Sequence, residues 1–218
     1  MKYKVLSYLR DYYKVQLALA LTILPIRIFE YFQVGDKSLT KWSFLYETLG
    51  LLYDIWAVLI YFTILWIPFL LFSLVHKHLA KWVLHVLNII TLCAYISLIV
   101  VFKERNTPFD HELFNRSFNE IWATSLQMAS TGIFVFLPFV FFISLYLYLY
   151  FKRVIAISLS KTTTYLLLSL SILSSVFMGK SLPNQESFEN RISYYLTVNK
   201  MSYWANDVYY FYKNIYQF

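Results

Sequence analysis

The stretch Glu47–Val75, ETLGLLYDIWAVLIYFTILWIPFLLFSLV, decides how the rest of the chain is read. From Ile55 to Val75 it runs for twenty-one residues without a charge. At ~1.5 Å of rise per residue that is enough helix to cross a ~30 Å hydrocarbon layer, so the stretch is read as a transmembrane helix. Asp54 lies one or two turns inside the apolar region. A lone carboxylate at the centre of a spanning helix costs roughly 2.5 to 3.5 kcal/mol on insertion scales, so another group must face it. Two roles are open for Asp54: it is neutralised by a neighbouring helix and holds the bundle together, or it lines a cavity that binds a lipid headgroup.

Composition supports the membrane reading. Of the 218 residues, 59% are hydrophobic and only 14% are charged, with a mean hydropathy of +0.54, too little polar surface for a soluble domain. The formal charge of +7 is scattered at the ends of apolar runs. Membrane orientation and lipid headgroups explain that placement better than nucleic acid, and no nucleic-acid partner is expected. Cys93 is the single cysteine, which excludes a disulfide framework or a multi-cysteine metal site within the chain. The N-terminal segment has a basic head but no small-residue cleavage site after its apolar region, and is read as a retained helix.

The apolar run Val15–Ile26 is too short to span alone, and extending it to Gln33 brings in Arg27 and Glu30. Three residues apart, these two share a helix face and pair by default. If the first two helices form a hairpin, both also lie near the membrane depth of Asp54, which makes Arg27, Glu30 and Asp54 a candidate buried ion cluster. Residues 34–44, with Gly35, Asp36, Ser38 and Thr40, have the composition of a short exposed loop. Residues 76–82, HKHLAKW, read as another loop. His76 and His78, with Lys77 and Lys81, mark a cytoplasmic face that touches phosphates. The two-residue spacing of the histidines and the lack of a third ligand argue against a metal there.

Val83–Phe102 makes a third helix. The polar segment after it keeps a helical pattern, with Thr107 as N-cap, Pro108 as first helical residue and Asp110 and Glu112 in the first turn. Phe109, Leu113, Phe114, Phe118, Ile121 and Trp122 recur on one side, which predicts an amphipathic helix over about 107–125 lying in the interface plane. Helix four follows, closed by Lys152 and Arg153, and helix five is short and serine-rich, as close helix packing favours. The expected fold is thus all-α and polytopic: five transmembrane helices, at about 12–33, 47–75, 82–102, 130–151 and 162–179, with interfacial amphipathic helices on the outer face. Residues 180–218 then form an extracytoplasmic juxtamembrane segment.

Lysines and arginines give the orientation. Lys2, Lys4, Arg10, Lys14, Lys77, Lys81, Lys152, Arg153 and Lys161 lie on one side with a single acid, Asp11; Lys37, Lys41, Lys103, Arg105 and Arg116 lie on the other. The positive-inside rule puts the N-terminus in the cytoplasm, and five crossings put the C-terminus outside.

The tail carries the most specific pattern. Trp204, Val208, Phe211, Ile215 and Phe218 follow a four-three-four-three spacing, so an amphipathic helix closes the segment. With ETLGLLYDIWAVLIYFTILWIPFLLF in helix two, ERNTPFDHELF after helix three, the five-helix topology and VNKMSYWANDVYYFYKNIY with Asn199 and Asn206 seven apart, the chain resembles the N-terminal membrane region of the lipoteichoic-acid-synthase-like, sulfatase-fold transferases, in the versions typical of Bacteroidetes.

The resemblance implies an extracytoplasmic catalytic domain after such a tail, in which a metal-bound hydroxyl moves a phosphoglycerol-type headgroup from a membrane lipid. No catalytic residue carries over to this chain, and a divalent metal is expected only in that further domain. What carries over is anchoring in the cell (inner) membrane and presentation of lipid, with anionic phospholipid and a docked or downstream extracytoplasmic domain as partners. The basic residues on the expected outer surface, Arg105, His111, Arg116, Lys200 and Lys213, are the candidate headgroup contacts. Two other readings stand beside this one: a small transporter or channel using Arg27, Glu30 and Asp54 as its path, and a scaffold subunit of a membrane complex. The transporter lacks the internal repeat and broken helices that such folds often carry.

The topology has a direct check. An alkaline phosphatase fused after Lys180 is expected to be active and one fused after Lys161 inactive; the reverse pattern, or activity at both sites, contradicts it.

Overall fold

The computed structural model describes residues 2–33, 43–111, 117, 119–120, 136–177 and 182–215. Among them the regular structure is helical: α1 (Lys2–Gln33), α2 (Ser43–Val75), α3 (Lys77–Arg105), α4 (Leu137–Tyr148), α5 (Lys161–Val176), α6 (Arg191–Thr197) and α7 (Lys200–Ile215). Four helical stretches are long and apolar enough to cross a membrane: Leu6–Gln33, Ser43–Val75, Lys77–Lys103 and Leu137–Val154. The chain is therefore an all-helical membrane protein. At sixteen residues α5 reaches only about 24 Å as helix, short of the ~30 Å layer.

Helix α1 is the axis of the bundle and packs against α2, α3, α4 and α5. It is buried on two faces, with Tyr12, Gln16, Leu19, Ile23 and Ile26 on one and Val15, Ala18 and Thr22 on the other. This arrangement explains why α1 tolerates more polar residues than its neighbours: protein rather than lipid surrounds them. Elsewhere the surface is apolar, including Leu52, Ile64, Leu71, Phe141, Leu166 and Leu173, as a lipid-facing exterior requires.

Hydrogen bonds order the helices by depth. Tyr12 Oη donates to the Phe62 carbonyl, Gln16 Nε2 to Tyr12 Oη at 3.1 Å, and Asn88 Nδ2 to Gln16 Oε1 at 3.3 Å and to Tyr146 Oη at 3.2 Å. His85 Nδ1 lies 2.7 Å from Tyr146 Oη. One buried polar chain thereby ties α1, α2, α3 and α4 together where lipid supplies no hydrophobic drive between helices.

Helix α4 continues as a π turn over Leu149–Val154, with Ile155 N–H bonded to the Tyr150 carbonyl at 2.9 Å. The buried residues Phe142, Tyr146, Tyr150 and Val154 recur every four positions. That stripe would drift around a regular 3.6-residue helix, and the wider turn keeps its end facing the bundle. Lys14 Nζ from α1 closes the end by donating to the Ile155 carbonyl at 2.9 Å.

Several boundaries differ from expectation. HKHLAKW is not a loop: His76 alone separates α2 from α3 and caps α3, its Nδ1 accepting from Leu79 N–H at 3.4 Å. Lys77 and Lys81 pair with Asp11 of α1 at 2.5 and 3.1 Å, so α1 takes up part of the charge expected to meet phosphates. Residues 107–110 are not helical. Asn106 ends α3 in a left-handed conformation (φ 56°) that redirects the chain before the expected N-cap and first turn. Residues 112–116, 118 and 121–125 of the expected interfacial helix, and 130–135 of expected helix four, lie outside the described residues.

Phe142, 2% exposed and 5.5 Å from Phe29 between ring centroids, is a core contact, whereas Phe141 is exposed on the apolar surface. Phe142→Ala should lower thermal stability in detergent and Phe141→Ala should leave it unchanged. Because lipid is as apolar as the core, only packing is lost, and the cost should fall below the roughly 3 to 5 kcal/mol typical of soluble cores.

Candidate functional site: a buried ion cluster under the outer helices

At the C-terminal end of α1, opposite the Asp11 end, the Arg27 guanidinium meets Asp54 of α2 as a two-pronged pair, Nε to Oδ2 at 2.8 Å and Nη2 to Oδ1 at 3.0 Å. Its Nη1 donates to Glu30 Oε2 at 3.0 Å, to Glu47 Oε2 at 3.2 Å and to the Leu196 carbonyl of α6 at 3.1 Å. Asp54 Oδ1 also accepts from Tyr95 Oη of α3 at 2.9 Å and from Asn199 Nδ2 at 2.7 Å. Lys200 Nζ lies 2.5 Å from Glu30 Oε1. It also donates to the Tyr195 and Val198 carbonyls at 2.6 and 3.1 Å and sits 4.4 Å above the Phe102 ring. All of these side chains are buried: Arg27, Glu30, Glu47, Asp54, Tyr95, Asn199 and Lys200.

Local sequence explains the assembly. Glu47, Gly50 and Asp54 fall at i, i+3 and i+7, one face of α2. The glycine is a steric requirement: a Cβ on residue 50 would lie 2.5 Å from Arg27 Nη2 and 2.7 Å from Cζ. Asn199 serves two ends at once. Its Oδ1 caps α7 by accepting from Ser202 N–H at 2.8 Å, while its amide nitrogen reaches Asp54. Asn190 caps α6 in the same way, accepting from Ser193 N–H at 2.8 Å.

The segment that holds α6 and α7, the outer layer of the fold, closes over this cluster. Phe188 meets Tyr46 at 5.7 Å, and Leu196 packs with Phe102 among Tyr46, Ile192 and Tyr195. Burial pushes the Tyr194 and Tyr203 phenols up, and the neighbouring Tyr195 adds to both shifts. These phenols are therefore neutral polar contacts.

The expected site residues separate into two groups. Arg27, Glu30 and Asp54 meet in one cluster, and Lys200 belongs with them: at 1% exposure it is an internal counter-ion and not an exposed headgroup contact. His111 docks onto α7, its Nδ1 2.7 Å from Asp207 Oδ2 and its ring stacked 4.4 Å from Phe211. Arg105 is exposed and lies 5.6 Å over the Phe109 ring, and Lys213 is exposed in the last turn of α7. Arg116 lies outside the described residues. Glu47, Gly50, Tyr95 and Asn199 are site residues that the reading of charged positions missed. The seven-residue spacing within ETLGLLYD was the available signal for the first two.

Among the described residues no group of three or more His, Cys, Asp and Glu side chains could hold a metal. In the cluster itself the Arg27 guanidinium occupies the space between the carboxylates. Fold and site together define an all-helical membrane domain whose outer helices are clamped to the bundle by buried charge. No protein-family model, curated protein or solved structure matches the chain.

Replacing an interior helical glycine by alanine ordinarily favours the helix by about 1 kcal/mol. Here Gly50→Ala should do the opposite and lower the unfolding temperature, because the added methyl displaces the guanidinium. An unchanged or raised unfolding temperature contradicts this packing.

Proposed function

We propose that this chain is the membrane-anchoring and lipid-presenting domain of a sulfatase-fold lipid-headgroup transferase or hydrolase. It sits in the cell (inner) membrane, with the N-terminus in the cytoplasm and the α6–α7 layer outside. The observation that carries the reading is the clamp: Leu196, Asn199 and Lys200 of the outer layer are each held by a buried charge of the bundle. A layer fixed this firmly is a platform from which an extracytoplasmic domain keeps a constant height and orientation above the lipid.

Five crossings suit this reading. Their support is that the end of α4 bonds to Lys14 and α6 bonds to Arg27, about 20 Å apart along α1 at ~1.5 Å per residue. The transport reading is weaker, because Arg27, Glu30 and Asp54, which a path would have to release and rebind, are tied into fixed pairings with one another and with the outer layer. Exposed Arg105 and Lys213 are the remaining described candidates for an anionic headgroup.

Two measurements test the proposal. The coding sequence beyond Phe218 should continue into an extracytoplasmic catalytic domain, and a stop codon there removes the anchor reading. Arg105→Gln with Lys213→Gln should weaken binding of anionic phospholipid to the protein in nanodiscs without lowering its unfolding temperature. Unchanged lipid binding in the folded double variant leaves anchoring without lipid presentation.

A further inference from the structure

The cluster holds three carboxylates, Glu30, Glu47 and Asp54, against two cations, Arg27 and Lys200, and all five side chains are buried. An uncompensated charge in such a place is expensive, so the excess acid must acquire a counter-charge or lose its own. Hydrogen bonds and ion pairs taken together single out which acid it is. Asp54 receives four donated bonds, from Arg27 Nε and Nη2, Tyr95 and Asn199. Glu30 has a hydrogen bond from Arg27 Nη1 on one oxygen, and its other oxygen, without a hydrogen-bond partner, is held by the Lys200 ammonium as an ion pair.

Glu47 has only a share of Nη1, at the longest of that nitrogen's three contacts, and Nη1 has two hydrogens for three acceptors. The second oxygen, Glu47 Oε1, is buried with no hydrogen-bond partner, although Glu47 is only 4% exposed. A carboxylate oxygen in that position has lost its water and gained nothing in exchange.

We infer that Glu47 is a proton-binding site: it carries a proton in the folded protein at neutral pH and so completes the charge balance of the cluster. Protonation turns three acids against two bases into two against two, and it releases Arg27 Nη1 to serve Glu30 and the Leu196 carbonyl. Among the described residues, the charged groups facing Glu47 are Arg27 and Glu30 of α1, Asp54 of α2 and Lys200 of the outer layer. None of these offers a further positive charge. Loss of the proton would draw Nη1 toward Glu47 and away from Leu196, so the attachment of α6 is coupled to the charge of this one side chain. The inference concerns the protonation of the cluster and does not depend on the proposed transferase role.

Infrared spectroscopy of the whole chain in nanodiscs at neutral pH is the test. Wild-type protein minus Glu47→Gln should contain a protonated-carboxyl C=O stretch that shifts on deuteration. Glu47→Gln, a neutral isostere, should keep the wild-type unfolding temperature, whereas Glu30→Gln should lower it. Absence of the band, or a drop in unfolding temperature for Glu47→Gln as large as for Glu30→Gln, overturns the inference. So does a wild-type stability that follows sodium or potassium concentration, because an inorganic cation would then be the counter-charge. If the variant does not fold, side-chain carboxyl carbon resonances of glutamate-labelled wild type decide the question: one protonated glutamate supports the site and none overturns it.

Discussion

The contact on which the rest depends is the two-pronged pair between Arg27 and Asp54. Each residue alone would be a charge stranded at membrane depth, costing several kcal/mol (about 3 each) on insertion scales. Each oxygen of Asp54 instead receives a guanidinium hydrogen, a geometry in which charge-assisted bonds are strong and directional. Desolvating two ions offsets much of that attraction, so the pair contributes more to which surfaces meet than to net stability. It fixes the depth of α1 against α2 and requires a glycine at position 50. It also leaves Nη1 and Asp54 Oδ1 with capacity for partners from α3, α6 and α7.

The bundle divides into two polar levels along α1. Toward the N-terminal end, the polar side chains of Tyr12, Gln16, Asn88, His85 and Tyr146 tie four helices together by hydrogen bonds. Toward the other end the ties are charged and reach beyond the bundle to α6 and α7. Charged ties between spanning helices occur at the N-terminal end too, where Lys77 and Lys81 of α3 pair with Asp11 of α1. The charged level recruits backbone carbonyls and a capping asparagine from an outer layer whose buried apolar residues are Tyr194, Leu196 and Val198, with Leu196 packed on Phe102 of α3.

Much of this was legible in the residues. The uncharged runs require spanning helices, and Asp54 within one of them requires a partner; Arg27, on the antiparallel neighbour, is the residue at matching depth. Lys200, a lysine near a helix start, reads as exposed, and nothing in its neighbourhood of tyrosines and asparagines reveals the buried Glu30 of another helix that holds it. Asn199 was visible as one of a pair seven residues apart, but its double role as cap and as donor to Asp54 depends on how α7 approaches the bundle. The His76 junction reads as a loop because its charges suggest water, while the helices continue through them by placing Lys77 and Lys81 against Asp11. The π turn has no sequence signature beyond the four-residue stripe of Phe142, Tyr146, Tyr150 and Val154.

If buried charge is what fastens the outer helices to the membrane bundle, removing the Asp54 charge should loosen those helices before it loosens anything else. Amide hydrogen exchange of Asp54→Asn against wild type in nanodiscs measures this directly. The account predicts that amides of residues 191–215 lose protection while those of residues 80–95 in α3 keep theirs. Unchanged protection of residues 191–215 in a folded Asp54→Asn variant would contradict it.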